Sequence, residues 1–488
     1  MQAQQACHLT LLPSELLTAI VSHFALEREE DQRRWDVQDD ALALLNLMKT
    51  CRTLYAIAKP ILYHTPPLHR PSHGPKYETR DKHGLRSMAR CFVETIQSDY
   101  VAALSVRSLA SLRDLLWAFN DIAGVPNLQR IAQVWHEEAV TIQTTLLRSC
   151  PNIEAVTIGL SDLTQAATAG RQLASLAQLK DLDLYVGPPP PARPERDSDG
   201  DLVRACLAHF APRRAERDDG IYPLATLSFK GTEDVSLADN DTFGATLRGM
   251  ASNVQIDCRS APPHAIERYL VGLFSGGGGP GSLHIYCTVP RELGGSAYDT
   301  AGALTKHLTG HRLTTFRLGI YVPRLGPIGS LSDYRWHSDD PYFLRLCYSE
   351  SFFGSFPLAS ELELPRGRHM TLAKLRQLAH ASPGLVKLDM YDTLWDMDPE
   401  SLEVDDDGGL SAFETELVQI LETMNGLERI DLGIWPYVES RGSQPATHRR
   451  FGLQDWADEN GIELIVMGFH ADDDDSDSEA NSGQSSSP

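Results

Sequence analysis

An apolar signature, φxxφxφ with φ apolar, recurs along most of the chain and limits what it can fold into. Clear copies are Val101-Leu104-Val106, Ile153-Val156-Ile158, Leu179-Leu182-Leu184, Leu224-Leu227-Phe229, Leu313-Phe316-Leu318, Leu385-Leu388-Met390 and Leu427-Ile430-Leu432. Weaker copies stand at Leu128-Ile131, Val254-Ile256, Leu283-Ile285 and Leu362-Leu364. The closing positions of each copy alternate as a strand does. Stretches between the copies, such as AVTIQTTLLRSC, LVRACLAHF and LAKLRQLAHAS, repeat apolar residues at the three- and four-residue spacing of a helix. With one short strand and one helix per repeat, no repeat can bury its own apolar face, and neighbours must stack to form a continuous core. The pattern predicts an α/β solenoid over residues 99–469, parallel strands inside and helices outside.

Counted from the first φ, the steps from 101 to 128, 153 and 179 are 27, 25 and 26 residues, and the step from 359 to 385 is 26. That is the period of leucine-rich repeats. Longer steps contain insertions at 188–200, about 322–341 and 396–409, which belong in loops at the strand ends. On each strand the residues flanking the last two apolar positions turn away from the core. The expected inner surface therefore displays Asp183, Tyr185, Lys230, Asp257, His284, Tyr286, Arg317, Glu363, Asp389, Tyr391 and Asp431. Of these, Tyr185, His284, Tyr286, Arg317, Asp389 and Tyr391 are the candidate contacts to a target protein, since tyrosine combines rigid apolar area with a hydroxyl.

Ahead of the repeats lies a short leucine-rich head. Leu16, Leu17, Ile20, Val21 and Phe24 recur at helical spacing behind Pro13, which suits a first turn. The charged run from Glu27 to Asp40 has to loop out. Asp40 is placed to cap a second helix through Leu42, Leu44, Leu45, Leu47 and Met48. A third is expected from about Thr53 through Ile57, ended by Pro60. Three short helices this rich in leucine hold more apolar surface than they can bury among themselves, so part of it should face a partner.

The segments LPSELL, MKTCRTLYAIA and PILYHT, over residues 9–65, resemble the F-box motif in its fungal form. The charged insert is longer than the family's, and Thr53-Leu54 stands where a Trp is usual after the central Cys-Arg. The order of head and irregular repeats resembles the F-box/leucine-rich-repeat family. That resemblance implies a substrate-recognition subunit of an SCF-type ubiquitin ligase. It would dock on the Skp adaptor through Leu12, Pro13, Leu16, Ile20, Leu45 and Leu54, and hold an unknown target on the repeats. A cap that merely shields the first repeat is the other reading of the head. A non-catalytic scaffold or inhibitor-like protein outside any ligase is the other reading of the whole. Residues 66–98 read as linker and cap.

The chain carries a formal charge of −22, of which the tail after Phe469 contributes six acidic residues and no basic one. The body is thus itself acidic, which disfavours nucleic acid and anionic membrane as partners. Residues 470–488 have almost nothing apolar to support ordering and are expected to be disordered. Eight scattered cysteines without a CxxC pair, and an N-terminus without a basic-then-apolar leader, point to a reduced cytoplasmic or nuclear setting.

No GxSxG, HExxH or GxxxxGK[ST] is present, and His136-Glu137-Glu138 lacks its second His because residue 140 is Val. The expectation is a protein that is not an enzyme and needs no metal or cofactor. Two features keep alternatives open. The loop from Glu403 to Glu414 has acidic residues at calcium-loop positions and Gly408 at the sixth, or it is a solvated loop with Ser411 capping the next helix. Ser476 and Ser478 lie among carboxylates, as acidophilic kinases prefer, or in a plain solubilising tail.

Overall fold

The computed structural model describes residues 12–23, 42–66, 78–110, 112, 129–186, 199–210, 223–230, 242–258, 270–274, 279–288, 313–321, 346–347, 350–364, 367–368, 370–391, 393, 395–396, 410–434 and 451–467. The chain forms two compact units, Met1–Glu292 with Ala303–Trp336, and Leu293–Gly302 with His337–Pro488.

In the first unit the φxxφxφ copies become strands wherever the alternation is sustained. They are β1 Ser108–Leu109, β2 Ala155–Leu160, β3 Asp181–Val186, β4 Leu224–Lys230, β5 Ala251–Cys258, β6 Ser282–Thr288 and β7 Thr315–Tyr321. All pair in parallel and in chain order. The register aligns Leu109, Val156, Leu182, Leu227, Val254, Leu283 and Phe316 into one row, every member buried. Ile158, Leu184, Phe229, Ile256, Ile285 and Leu318 form a second buried row. Each such side chain contributes about 1.5–3 kcal/mol by leaving water.

The second unit repeats the plan with β9 Glu361–Glu363, β11 Lys387–Asp389, β12 Arg429–Ile434 and β13 Glu463–Met467, parallel in that order. A separate pair joins β8 Leu346–Cys347 to β10 Gly367–Arg368. Leu362, Leu388 and Ile430 are in register and buried. Each unit is a leucine-rich-repeat-like α/β solenoid.

Caps set where several of the helices begin. Labelled in chain order, the helices are α1 Ser14–Ser22, α2 over 42–48, α3 Arg52–His64, α4 Glu78–Ser98, α5 Tyr100–Ser105, α6 Gln129–Ser149, α7 Leu163–Ser175 and α8 Asp199–Leu207. They continue with α9 Thr242–Leu247, α10 Glu350–Phe353, α11 Leu372–Ala381, α12 Ala412–Leu421 and α13 Phe451–Glu459. Asp162 caps α7, Thr371 caps α11, and Ser411 with Glu414 forms a capping box on α12. Gly170 of α7 allows a close approach to α8: a Cβ there would lie 2.2 Å from the Cys206 carbonyl oxygen.

A backbone ladder marks the start of each repeat. Two successive N–H groups donate to one carbonyl of the repeat before: Glu154 and Ala155 to Arg107, Lys180 and Asp181 to Glu154, Ala225 and Thr226 to Lys180. The series begins inside the head, where the Arg107 N–H donates to the His64 carbonyl at 3.0 Å.

Three sequence expectations are corrected here. Val101-Leu104-Val106 is not a strand: residues 100–105 are helix α5, because Asp99 caps it by accepting from the Val101 and Ala102 N–H groups. An i, i+3 apolar pair fits a helix as well as the opening of φxxφxφ. Ile131 likewise lies in α6, so the true interval from Leu109 to Val156 is 47 residues, not two repeats. Pro60 does not end the third head helix, which runs on to His64. Burial of Leu54, Ala58 and Leu62 on one face offsets the hydrogen bond that proline removes. Of the linker and cap expected over 66–98, residues 67–77 lie outside the described residues and 78–98 are α4. The tail, the insertions at 188–198 and 322–341, and Asp40 lie outside the described residues.

Candidate functional site

The head builds its own core from Leu17, Val21, Leu44, Leu54, Ala58 and Leu62, with Leu12, Leu47, Met48, Cys51, Ile57, Ile61 and Tyr63 packed partly against it. That core leaves a second set of apolar residues outside. Leu16 and Ile20 are exposed on α1, Leu42 and Leu45 on α2, and Tyr55 on α3 at 43% exposure. Of the adaptor residues expected from sequence, Leu16, Ile20, Leu45 and Pro13 lie at the surface, and Leu12 is half-buried. Leu54 does not. At 1% exposure it belongs to the core, because it shares the inward stripe of α3 with Ala58 and Leu62. Tyr55 and Leu42 take the outward positions that sequence reasoning missed. The signal was available in the phase of the two helices once Pro60 is allowed inside α3.

Next to Tyr55, the head is tied to α5. The Lys59 ammonium lies 5.2 Å from the centre of the Tyr55 ring and donates to the Asp99 carboxylate. Burial works against the Lys59 charge, but the Asp99 and Tyr55 interactions outweigh it and raise its pKa. The same Lys59 bond, with the Ala102 and Val101 N–H groups, holds Asp99 below the usual carboxylate range against its own burial. A second clamp joins α4 to α6, where Glu138 accepts from Arg86 and Arg90. Glu138, which follows Glu137 of the incomplete zinc-like motif, is thus a structural partner.

On the first unit's sheet the residues opposite the apolar rows also align. One row reads Thr157, Asp183, Ser228, Gln255, His284, Arg317, and the next Gly159, Tyr185, Lys230, Asp257, Tyr286, Gly319. The face is polar, and the register brings His284 beside Arg317 and Tyr286 beside Asp257. Tyr286 is 37% exposed, whereas Tyr185 is 8% exposed and His284 is also buried. Tyr185 and His284 are therefore not the presented anchors that the alternation suggests, while Tyr286 and Arg317 retain accessible surface.

In the second unit Glu363, Asp389 and Asp431 are in register on adjacent strands. Asp389 accepts from the Tyr391 N–H at 3.3 Å and shapes the turn that leaves β11, while the buried Asp431 accepts from the Gly433 N–H at 2.8 Å, where the register shifts inside β12. Tyr391 falls beyond the end of β11, in a turn, and does not share the phase of Tyr185 and Tyr286.

The calcium-like loop can be judged at its C-terminal end alone, because residues 403–409 lie outside the described set. There the Glu414 carboxylate accepts from the Ser411 N–H at 2.8 Å and the Ser411 hydroxyl accepts from the Glu414 N–H. The twelfth-position ligand is committed to the helix cap. Among the described residues no group of three His, Cys, Asp or Glu could hold a metal, and no helix is long and apolar enough to cross a membrane. Burial pushes the Cys150 and Cys206 thiols up to about 12, so neither supplies a thiolate near neutral pH.

No protein family matches the sequence, and no curated protein matches it. Among solved structures, the crystal structure of the Rad7 and Elc1 complex in yeast aligns with 81% of this chain and 98% of that one, at 11% identity and a TM-score of 0.30.

Proposed function

We propose that this chain is a non-catalytic substrate-recognition subunit of an SCF-type ubiquitin ligase, docking on the Skp adaptor through the head and holding a target protein on the repeats. The observation that carries this reading is the head's surplus. Its core closes on its own, yet Leu16, Ile20, Leu42, Leu45 and Tyr55 remain in water. Exposed apolar residues gathered on one small domain mark a binding surface. The chain's contribution to catalysis is proximity: it brings a target to a transferring enzyme and turns a bimolecular step into an effectively intramolecular one.

The test is capture of the Skp adaptor by the full-length chain and by Leu16→Asp with Ile20→Asp. Both positions are exposed in the free chain, so the variant should keep its circular dichroism spectrum and melting temperature. In the complex each Asp would be buried unpaired, at a cost on the order of 3–5 kcal/mol, and capture should vanish. Unchanged capture removes the F-box reading. Failure of the wild-type chain to bind leaves the scaffold outside any ligase, and Elc1 is the natural second probe.

A further inference from the structure

Two of the most exposed apolar side chains in the described residues lie outside the head, and nothing so far uses them. Tyr100 is 74% exposed and Val101 is 55% exposed, at the start of α5. Val101 is a residue that the repeat pattern assigns to a buried strand. Ala102 and Ala103 form the buried side of α5 instead, which leaves Tyr100 and Val101 facing water.

Their position is fixed by the head. Asp99, the residue before Tyr100, caps α5 and binds Lys59, and Lys59 lies against the exposed ring of Tyr55. From Tyr55 the Lys59 ammonium leads to Asp99, and Tyr100 and Val101 follow Asp99 directly in the sequence. The exposed Lys49 and Arg52 sit at the α2–α3 corner, whereas the chain as a whole carries −22. A partner seated here meets an apolar strip with a cationic rim, and the complementary surface is apolar with acidic residues around it.

We infer that the adaptor-docking surface does not end with the head but continues onto Tyr100 and Val101 of α5, and that the adaptor meets Lys49 and Arg52 with acidic residues. This rests on the adaptor reading above and extends it beyond the F-box-like segment. One partner then grips the head and the first turn after it, so that the head and the start of the solenoid are held as a single piece.

The experiment is a binding titration of the full-length chain with purified Skp adaptor at low and high salt, beside measurement of the chain's own mass in solution. Tyr100→Ser with Val101→Ser should raise Kd about tenfold or more and leave the melting temperature unchanged, as befits exposed sites. Lys49→Glu with Arg52→Glu should slow association and flatten its salt dependence. If the first variant binds with wild-type Kd while Leu16→Asp with Ile20→Asp abolishes binding, the extension is wrong and the adaptor reading stands. If the Leu16/Ile20 variant binds normally, the adaptor reading itself fails. A wild-type dimer that Tyr100→Ser with Val101→Ser converts to monomer, with adaptor affinity unchanged, would assign this strip to a second copy and overturn the inference.

Discussion

Consecutive residues on a helix point about 100° apart, and at Leu54 and Tyr55 that turn separates core from surface. Leu54→Ala should cost about 2–5 kcal/mol in urea unfolding, the range for a truncated core leucine. Tyr55→Ala should cost less than about 1 kcal/mol, chiefly its contact with the Lys59 ammonium, yet weaken adaptor binding. Equal destabilisation by the two would mean that the phase of α3 is misassigned. The pair also shows why residue roles were only partly legible. A leucine and a tyrosine side by side satisfy either phase, and the sequence pattern offers no tie-breaker until the helix is known to continue through Pro60. On the sheet the alternation was read correctly, but alternation says which way a side chain points and not how tightly its neighbours enclose it. Tyr185 and His284 point away from the apolar rows and are buried all the same.

At the scale of elements, local chemistry decided the outcome more than period did. The strands β2 to β7, β9, β11 and β12 were readable because each coincides with a φxxφxφ copy, and the capped helices α7, α11 and α12 mark off three of them. Asp99 defeats the first copy by capping a helix in its place, and a spacing near 26 residues survived there only by coincidence. The loop after Asp396 is a similar contest between two local readings, and the capping box gives it a direct test. Ser411→Ala should lower stability by about 0.5–2 kcal/mol, the usual cost of a lost N-cap. Millimolar calcium should leave the melting temperature of the wild-type chain unchanged. A calcium-dependent rise abolished by Glu414→Gln would show that the loop gives up its cap for a metal, since a ligand bound only by the folded state must stabilise it.

Among the described residues, the carboxylates whose pKa values are clearly lowered lie in the first unit: Asp99 with Lys59, Glu138 with Arg86 and Arg90, and Glu154 with Lys180 and Arg107. A depressed pKa means that the folded state favours the ionised form. The stabilisation is complete above the unfolded values, 3.8 for Asp and 4.5 for Glu, and is lost as pH falls through the lower folded ones. Acidification from pH 6 toward pH 3 should therefore lower the melting temperature. Asp99→Asn should be less stable than wild type at pH 7 and show a shallower acid response. An Asn variant with the wild-type slope would remove this pair from the acid response. None of these five ion pairs was legible in the sequence, because each joins residues 26 to 52 positions apart.

The His64 carbonyl occupies, for Arg107, the place that the Arg107 carbonyl occupies for Glu154 and Ala155. The head thereby enters the ladder as its lowest rung, and the Lys59–Asp99 pair ties it to the chain a second time. Whatever the head grips acquires a fixed bearing toward β1 and its successors, and the distance to any point on their polar face is measured in whole rungs of about 4.8 Å. A lineage that gained or lost a repeat near the start would not loosen this arrangement. It would move the held protein by one graduation, as a ruler is read, and leave every joint intact.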